Sequence, residues 1–253
     1  MKHFTKFIAK TWVLLLLIGL WQFMVSFGFW PASLVASPIS TLYDFQILIQ
    51  NGQLWTHIWA SLSRILAGLA FGTTFGILFG LIIGSLAKFK EHLTFPISVL
   101  YSIPPLAWIP FFIIGLGIGE VSKISLIALT FFVVVSVHTW EGILQTEKNY
   151  LHLAHLLEKK IFDKIVHIWL PTSTSHIMAG IKIATYYAWG ILITSEIIAS
   201  SSGLGYLIWN SRQFSRADDM MVAIVTIGLL GLISDFIIIQ LQNKLLHWQN
   251  KTI

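Results

Sequence analysis

The chain has 253 residues, of which 56% are hydrophobic and only 11% charged, with a mean hydropathy of +0.78. Soluble domains carry about a quarter charged residues, so this chain has too few to cover a water-facing surface, and lipid is its expected solvent. There are no cysteines, which excludes disulfide scaffolds, thiolate metal sites and thiol nucleophiles. The net charge of +5 comes from basic residues scattered through short loops, a topology signal rather than a nucleic-acid-binding stripe.

The first apolar run, residues 11–29, follows Lys2, Lys6 and Lys10. It exceeds the roughly 7 to 15 residues of a signal-peptide core, so it is expected to be a retained span. Next, Ser37 as N-cap, Pro38 at the first helical position and Asn51-Gly52 as a stop predict a short outer helix over about 38–51. Ile39, Leu42, Phe45 and Ile49 share one of its faces, as in a helix lying in the membrane interface. Further apolar runs cover residues 65–86, 93–117, 121–140, 177–199 and 221–241. Each approaches the roughly 20 residues that cross the hydrocarbon.

Six spans place both termini on one side. With that side cytoplasmic, Lys2, Lys6, Lys10, Lys88, Lys90, Lys148, Lys159, Lys160, Lys164, Lys244 and Lys251 are inner, while only Arg64, Lys123, Arg212 and Arg216 are outer. This excess orients the chain with its termini inside. Trp30, Trp140, Trp169, Trp209 and Trp248 fall near the expected interfaces, as in an aromatic belt. The inner segment at about 141–175 is the longest soluble piece, with Leu153, Leu156, Leu157, Ile161, Ile165 and Ile168 at helical spacing. It is the natural docking place for a cytoplasmic partner.

Gly68, Gly72, Gly76, Gly80 and Gly84 recur every four residues, so they share a face on which another helix backbone can approach closely. Packing, rather than ligand binding, is the expected role. The third span opens with Ser102-Ile103-Pro104-Pro105-Leu106-Ala107-Trp108-Ile109-Pro110, whose prolines remove backbone donors. Such a break is either a kink in a packing helix or a segment lining a water-filled path. Lys182 and Asp235 each lie a few residues inside the cytoplasmic ends of the last two spans and are expected to form an intramembrane ion pair. Glu196, near an outer end, is within reach of Arg64, Arg212 or Arg216 and is read as structural. His152, His155, His167 and His176 lack a carboxylate-bearing ligand motif, so no metal is expected. No phosphate loop is present, the glycines at 115, 117 and 119 end a span, and no nucleophile elbow occurs.

The chain resembles the permease subunit of bacterial ABC importers, in the branch that handles nitrate, sulfonate and taurine. The resemblance covers nearly the whole length. It is carried by Ser37-Pro38, by Ala60-Ser61-Leu62-Ser63-Arg64 running into the glycine ladder, and by the Pro104-Pro105-Leu106-Ala107-Trp108 stretch with Gly117-Ile118-Gly119-Glu120. Ser201-Ser202-Gly203-Leu204-Gly205-Tyr206-Leu207-Ile208 and Asp235 continue it. The resemblance implies one all-α transmembrane domain over 1–253, of the six-helix type I importer fold, in the bacterial inner membrane.

The family's cytoplasmic loop, E-A-A-x3-G-x9-I-x-L-P, aligns through Ile168, Leu170 and Pro171. His152, Leu153 and Ala154 then take the E-A-A positions and Glu158 takes the glycine, which implies a different turn or a longer helix there. The implied ATPase-coupling residues are His152, Leu153, Ala154, Leu157, Glu158, Ile161, Phe162, Ile168, Leu170 and Pro171. Path residues are expected among Ser102, Pro104, Pro105, Trp108, His138, Tyr186, Tyr187 and Thr194, which offer hydrogen bonds and aromatic surface without concentrated charge. Implied partners are a second permease copy, two cytoplasmic ATPase subunits, a periplasmic or lipid-anchored solute-binding protein and membrane lipid. No cofactor is expected on the chain itself, ATP and magnesium residing on the ATPase. The expected function is passage of a small solute, sulfonate-like or a pyrimidine-type vitamin precursor, with a degenerate permease acting as a scaffold as the alternative.

Overall fold

The structure is a computed structural model that describes residues 2–31, 34–147, 150, 152, 154 and 156–247, with side chains from residue 12 onward except that of residue 87. Among the described residues the regular structure is helical, without strands. In chain order the helices are α1 (Lys2–Ser26), α2 (Pro38–Gln50), α3 (Gln53–Ser85), α4 (Ala87–Ser102), α5 (Ile109–Leu116) and α6 (Glu120–Leu144), followed by α7 (Ile161–Lys164), α8 (Leu170–Ala199), α9 (Leu204–Gln213) and α10 (Ala217–Leu245).

Among the described residues four stretches are long and apolar enough to cross a membrane: Gln53–Ser85, Glu120–Leu144, Ile161–Ala199 and Ala217–Leu245. A fifth crossing is formed if Lys88–Ser102 and Pro105–Leu116 are taken together, although they meet at 93°. Of the first helix, α1, the apolar part among the residues described with side chains is Trp12–Ser26. The expected third span is therefore not a run broken at its start but two helices at a right angle, with the break in its middle. Pro104 is extended (φ −53°, ψ 128°), and Pro105 and Pro110 open the 3-10 turn Pro105–Trp108 and α5, where a missing N–H costs no intrahelical bond.

The chain divides into two compact units. In the first, Met1–Ala60 with Ser201–Gly228, α2 begins as expected. Ser37 caps it by accepting from the Ser40 N–H at 3.1 Å, Pro38 follows, and Asn51 with left-handed Gly52 (φ 77°) ends it. Ile39 and Leu42 stand exposed on it. Trp21 Nε1 donates to the Ala36 carbonyl at 3.0 Å, and the Gly203 N–H donates to His57 Nδ1 at 3.2 Å.

The second unit, Ser61–Ser200 with Leu229–Ile253, is built around α6. Ile127, Phe131 and Val135 are wholly buried along it. The glycine ladder of α3 lies against this helix: a methyl added at Gly72 would collide with the Ala128 carbonyl and with Phe131 Cβ at 2.5 Å, and one at Gly80 would meet Thr139 Cβ at 2.5 Å. On the α8 side, Gly180 receives His138, and Gly142 of α6 receives Ser173 and His176. Removing side chains lets backbones approach on both flanks, which gains dispersion contacts where lipid offers no hydrophobic driving force. Trp140, expected at an interface, is instead 5% exposed in a cluster with Ile83, Ile97 and Val137. Trp30 and Trp209 are partly exposed, while Trp248, Lys148 and Lys251 lie outside the described residues.

The expected fifth span also differs. It does not begin near residue 177; helix runs continuously from Ile161 to Ala199. The cause of its one irregularity is local. Pro171 has no N–H for the carbonyl four residues back and its ring crowds that carbonyl, so the preceding turn, Ile165–Trp169, widens to a π turn in which the Leu170 N–H bonds the Ile165 carbonyl.

Candidate functional site

Three features of the second unit carry polar chemistry. The first is a cavity of about 290 Å³ inside the right-angle break, at the small end of the range for ligand pockets. Tyr101, Ser102, Pro104, Pro105 and Trp108 line it from the break, Thr130 and Val134 from α6, and Tyr187 from α8. The hydroxyls of Ser102 and Thr130 donate to carbonyls of their own helices, at 2.9 and 3.0 Å, and no charged side chain lines the space. A break at membrane depth is tolerable where its backbone borders a cavity, as here.

The second is the expected ion pair. Lys182 Nζ lies 2.9 Å from Asp235 Oδ1, and the Tyr186 hydroxyl donates to the same oxygen at 2.6 Å. Lys182 and Tyr186 are one helical turn apart on α8 and therefore share a face. Neither charge is sealed: the side chains are 32% and 25% exposed.

The third is a charge network that ties α3, α6 and α8. Arg64 grips Glu120 with two nitrogens at 2.6 and 2.7 Å and Glu196 with a third at 2.6 Å. Lys123 bonds Glu120 at 2.9 Å and Ser200 at 2.8 Å, and Ser61 donates to Glu196 at 2.8 Å. Arg64 is 3% exposed, Lys123 4% and Glu196 0%. Arg64 and Lys123 are thus not loop charges that report topology but buried members of a polar cluster. Of the partners considered for Glu196, Arg64 is the one bonded to it; Arg216 pairs with Asp219 at 2.9 Å in the first unit.

The inner segment ends in an exposed apolar turn. His152, Ala154 and Leu156 are helical, Ala154 is buried, and Leu156, Leu157, Ile161 and Phe162 are exposed. Leu153 lies outside the described residues. Glu158 sits at φ 48°, the left-handed region, and the Lys159 N–H bonds the Ala154 carbonyl at 3.0 Å. This is the six-to-one bond of a Schellman stop, so the expectation of a different turn or a longer helix is corrected: glutamate makes the sharp turn that glycine would have made.

Residues 72–247 match the family described as "Binding-protein-dependent transport system inner membrane component". The chain belongs to that family. SsuC of Bacillus subtilis, named for aliphatic sulfonates transport, is 32% identical to this permease over 234 residues, 92% of this chain and 85% of its own. TauC of Escherichia coli, a taurine transport system permease protein, is 31% identical over 199 residues, 78% of this chain and 72% of its own. The fold is that of a chain of the MetNI methionine ABC transporter in an inward-facing conformation, with a TM-score of 0.65 at 15% identity, covering 77% of this chain and 98% of that one. The permease is an inner-membrane transport protein with several membrane-spanning helices.

Of the path residues expected from sequence, the break brings together Ser102, Pro104, Pro105 and Trp108, and α8 adds Tyr187. Tyr186 belongs to the ion pair. Thr194 bonds the Gly190 carbonyl of its own helix, at 2.9 Å. His138 packs on Gly180 with Nδ1 4.0 Å from Glu141, away from the cavity lining. Sequence reading missed Tyr101 and Thr130 in the cavity. Neither carries a motif; only the fold of the break, facing α6, brings them in. It also missed the pairing of Arg64 with Glu120, whose one sequence signal was a glutamate directly after three glycines at a helix start.

Proposed function

We propose that this permease forms the membrane path of an ATP-driven importer for a small oxyanion of the sulfonate, taurine or nitrate class, delivered by a solute-binding protein. The observation that carries the solute class is the alignment over 92% of the chain with a relative named for aliphatic sulfonates, together with those named for taurine and for nitrate import. In this reading the whole chain works as one permease domain with six crossings, α1 being the first and the bent pair the third, and with both termini cytoplasmic. Two copies enclose the path, and the cavity in the break belongs to it. The chain makes and breaks no covalent bond; hydrolysis belongs to separate ATPase subunits.

Leu157, Ile161 and Phe162, with Glu158 holding the turn, are the surface that meets the ATPase. Burying an exposed apolar cluster is the usual source of such affinity, and Ile168, Leu170 and Pro171 continue the same helix into the membrane. The retained turn favours a working coupling segment over a scaffold role. The test is uptake of radiolabelled taurine, ethanesulfonate and nitrate by proteoliposomes holding the permease with its ATPase and binding protein. ATP-dependent uptake of one of them, lost together with ATPase association in Phe162→Asp, is expected. No uptake of any of the three, or unchanged association in Phe162→Asp, refutes the solute class or the coupling surface respectively.

A further inference from the structure

The Lys182–Asp235 pair has features that a purely structural salt bridge at membrane depth lacks. Lys182 lies 12 residues from the start of α8, about 18 Å along the axis, and Asp235 lies 10 residues from the end of α10, about 15 Å. Both charges lie within apolar helical runs, where a charge with a quarter to a third of its side chain exposed is expected to face water or another polar surface rather than hydrocarbon. One turn beyond the pair on each helix stands a glycine, Gly190 four residues after Tyr186 and Gly231 four before Asp235. A Cβ at either would meet nothing within 4 Å, in contrast to the α3 ladder, where each added methyl would touch α6. Both glycines therefore face open space beside the pair, and Tyr187, adjacent to Tyr186, lines the cavity of the break.

We infer that Lys182, Asp235 and Tyr186 form a transient oxyanion site on the solute path, in which a sulfonate, nitrate or carboxylate group displaces Asp235 as the partner of the Lys182 ammonium. This rests on the function proposed above and adds the residues that recognise the charge. Chemistry supports the assignment. The ammonium has three donors, of which Asp235 takes one and the Tyr186 hydroxyl oxygen a second, which leaves one for a solute. Tyr186 keeps a hydrogen bond to Asp235 Oδ1, so the carboxylate stays held when the lysine turns to the solute. Competition from Asp235 keeps binding weak enough for release, a requirement of any conducting site.

Two measurements test the inference separately from the function. In the first, the assembled transporter, with its ATPase and binding protein, is melted in sodium methanesulfonate and in sodium chloride of equal ionic strength. Methanesulfonate is expected to stabilise the wild type specifically, Asp235→Asn at an about tenfold lower concentration, and Lys182→Met/Asp235→Leu not at all. Apolar replacement of both partners removes the charges without leaving one unpaired, so the double variant is expected to fold. In the second, ethanesulfonate uptake by the double variant is expected to fall at least about tenfold while binding-protein-stimulated ATPase activity remains. Equal methanesulfonate stabilisation of wild type and double variant overturns the site, as does a double variant whose only defect is dissociation of the two permease copies. Specific stabilisation without wild-type uptake of any of the three solutes keeps the site and refutes the proposed function.

Discussion

Arg64 offers the sharpest test of what holds the second unit together. Its guanidinium bonds two carboxylates of very different exposure: Glu120, 58% exposed and also bonded by Lys123, and Glu196, fully buried. Replacing Arg64 with methionine costs little on the Glu120 side, where water and Lys123 remain, on the order of 1 kcal/mol or less. On the Glu196 side it strips a buried carboxylate of the cation touching it, a loss of about 3 to 5 kcal/mol, near the lower end because Ser61 still donates at 2.8 Å. For a chain of this size 3 kcal/mol lowers Tm by about 6 to 12 °C. Removing both charges, in Arg64→Met/Glu196→Leu, deletes the stranded group and is expected to recover most of that loss. The assay is thermal unfolding of the detergent-solubilised permease by tryptophan fluorescence, read as a double-mutant cycle. A single variant as stable as wild type, or a double variant no better than the single, would refute the view that Glu196 depends on Arg64.

Glu158 occupies a conformation that costs an L-residue about 1 kcal/mol, so Glu158→Gly is expected to slow hydrogen exchange of the Lys159 amide about fivefold while Glu158→Ala leaves it unchanged; equal effects would remove the left-handed turn from the explanation. In the glycine ladder Gly72→Ala meets a carbonyl and Phe131 and Gly76→Ala meets its neighbours only at 3.0 Å, while Gly190→Ala on α8 meets nothing, so the loss of membrane abundance should be largest at Gly72, smaller at Gly76 and absent at Gly190, with about 1 to 3 kcal/mol lost at Gly72; equal losses would mean that α3 does not seat on α6 as described. In the first unit, burial pushes the Asp44 carboxyl up to about 7, the neighbouring Asp219 carboxylate and then Asp218 push the same way, and Arg216 partly offsets them. An acid raised in the folded state contributes stability at low pH that is lost as pH rises from about 4 through 7. Wild type should therefore lose Tm between pH 5.5 and 8, and Asp44→Asn should flatten that loss; an identical slope in the variant would refute the assignment.

What was legible in the chain followed from rules that act over one or two turns. The Ser37-Pro38 start and Asn51-Gly52 stop of α2 are local backbone chemistry, and they appear where the residues demand. The four-residue glycine spacing names a face without needing to know what it meets. The Lys182–Asp235 pair was legible because both charges fall inside apolar runs, where an unpaired charge is costly. Illegible features depend on tertiary partners. A proline run says that a helix breaks; the 93° turn in mid-run, and the cavity it leaves against Thr130, follow from how α4 and α5 pack on α6. Counting basic residues treated Arg64 and Lys123 as loop charges: the acceptors of Arg64, Glu120 and Glu196, come from other helices, and Lys123, though it also pairs with Glu120 three residues back, reaches Ser200 far along the chain. Isolated Gly142 and Gly180 have no ladder to betray them, yet each admits a side chain of the opposing helix.

The continuity of Ile161–Ala199 links features that sequence reading kept apart. This helical run of 39 residues begins beside the exposed Phe162, passes Lys182 and Tyr186 and carries Glu196 into the Arg64 network. From Phe162 to Lys182 is 20 residues, about 30 Å of helix, and from there to Glu196 another 21 Å. A helix transmits displacement along its axis unless a weak point absorbs it, and the π turn at Ile165–Trp169, forced by Pro171, is the one irregularity in the run. A push at the exposed turn therefore either bends the helix at Trp169 or reaches the ion pair. The far end is pinned by buried Glu196, and α6 clasps the middle through Gly142 and Gly180. One continuous helix thus carries the exposed turn, the Lys182–Asp235 pair and the buried Glu196, and the clasp by α6 that holds its middle opposes any rotation that would part Lys182 from Asp235.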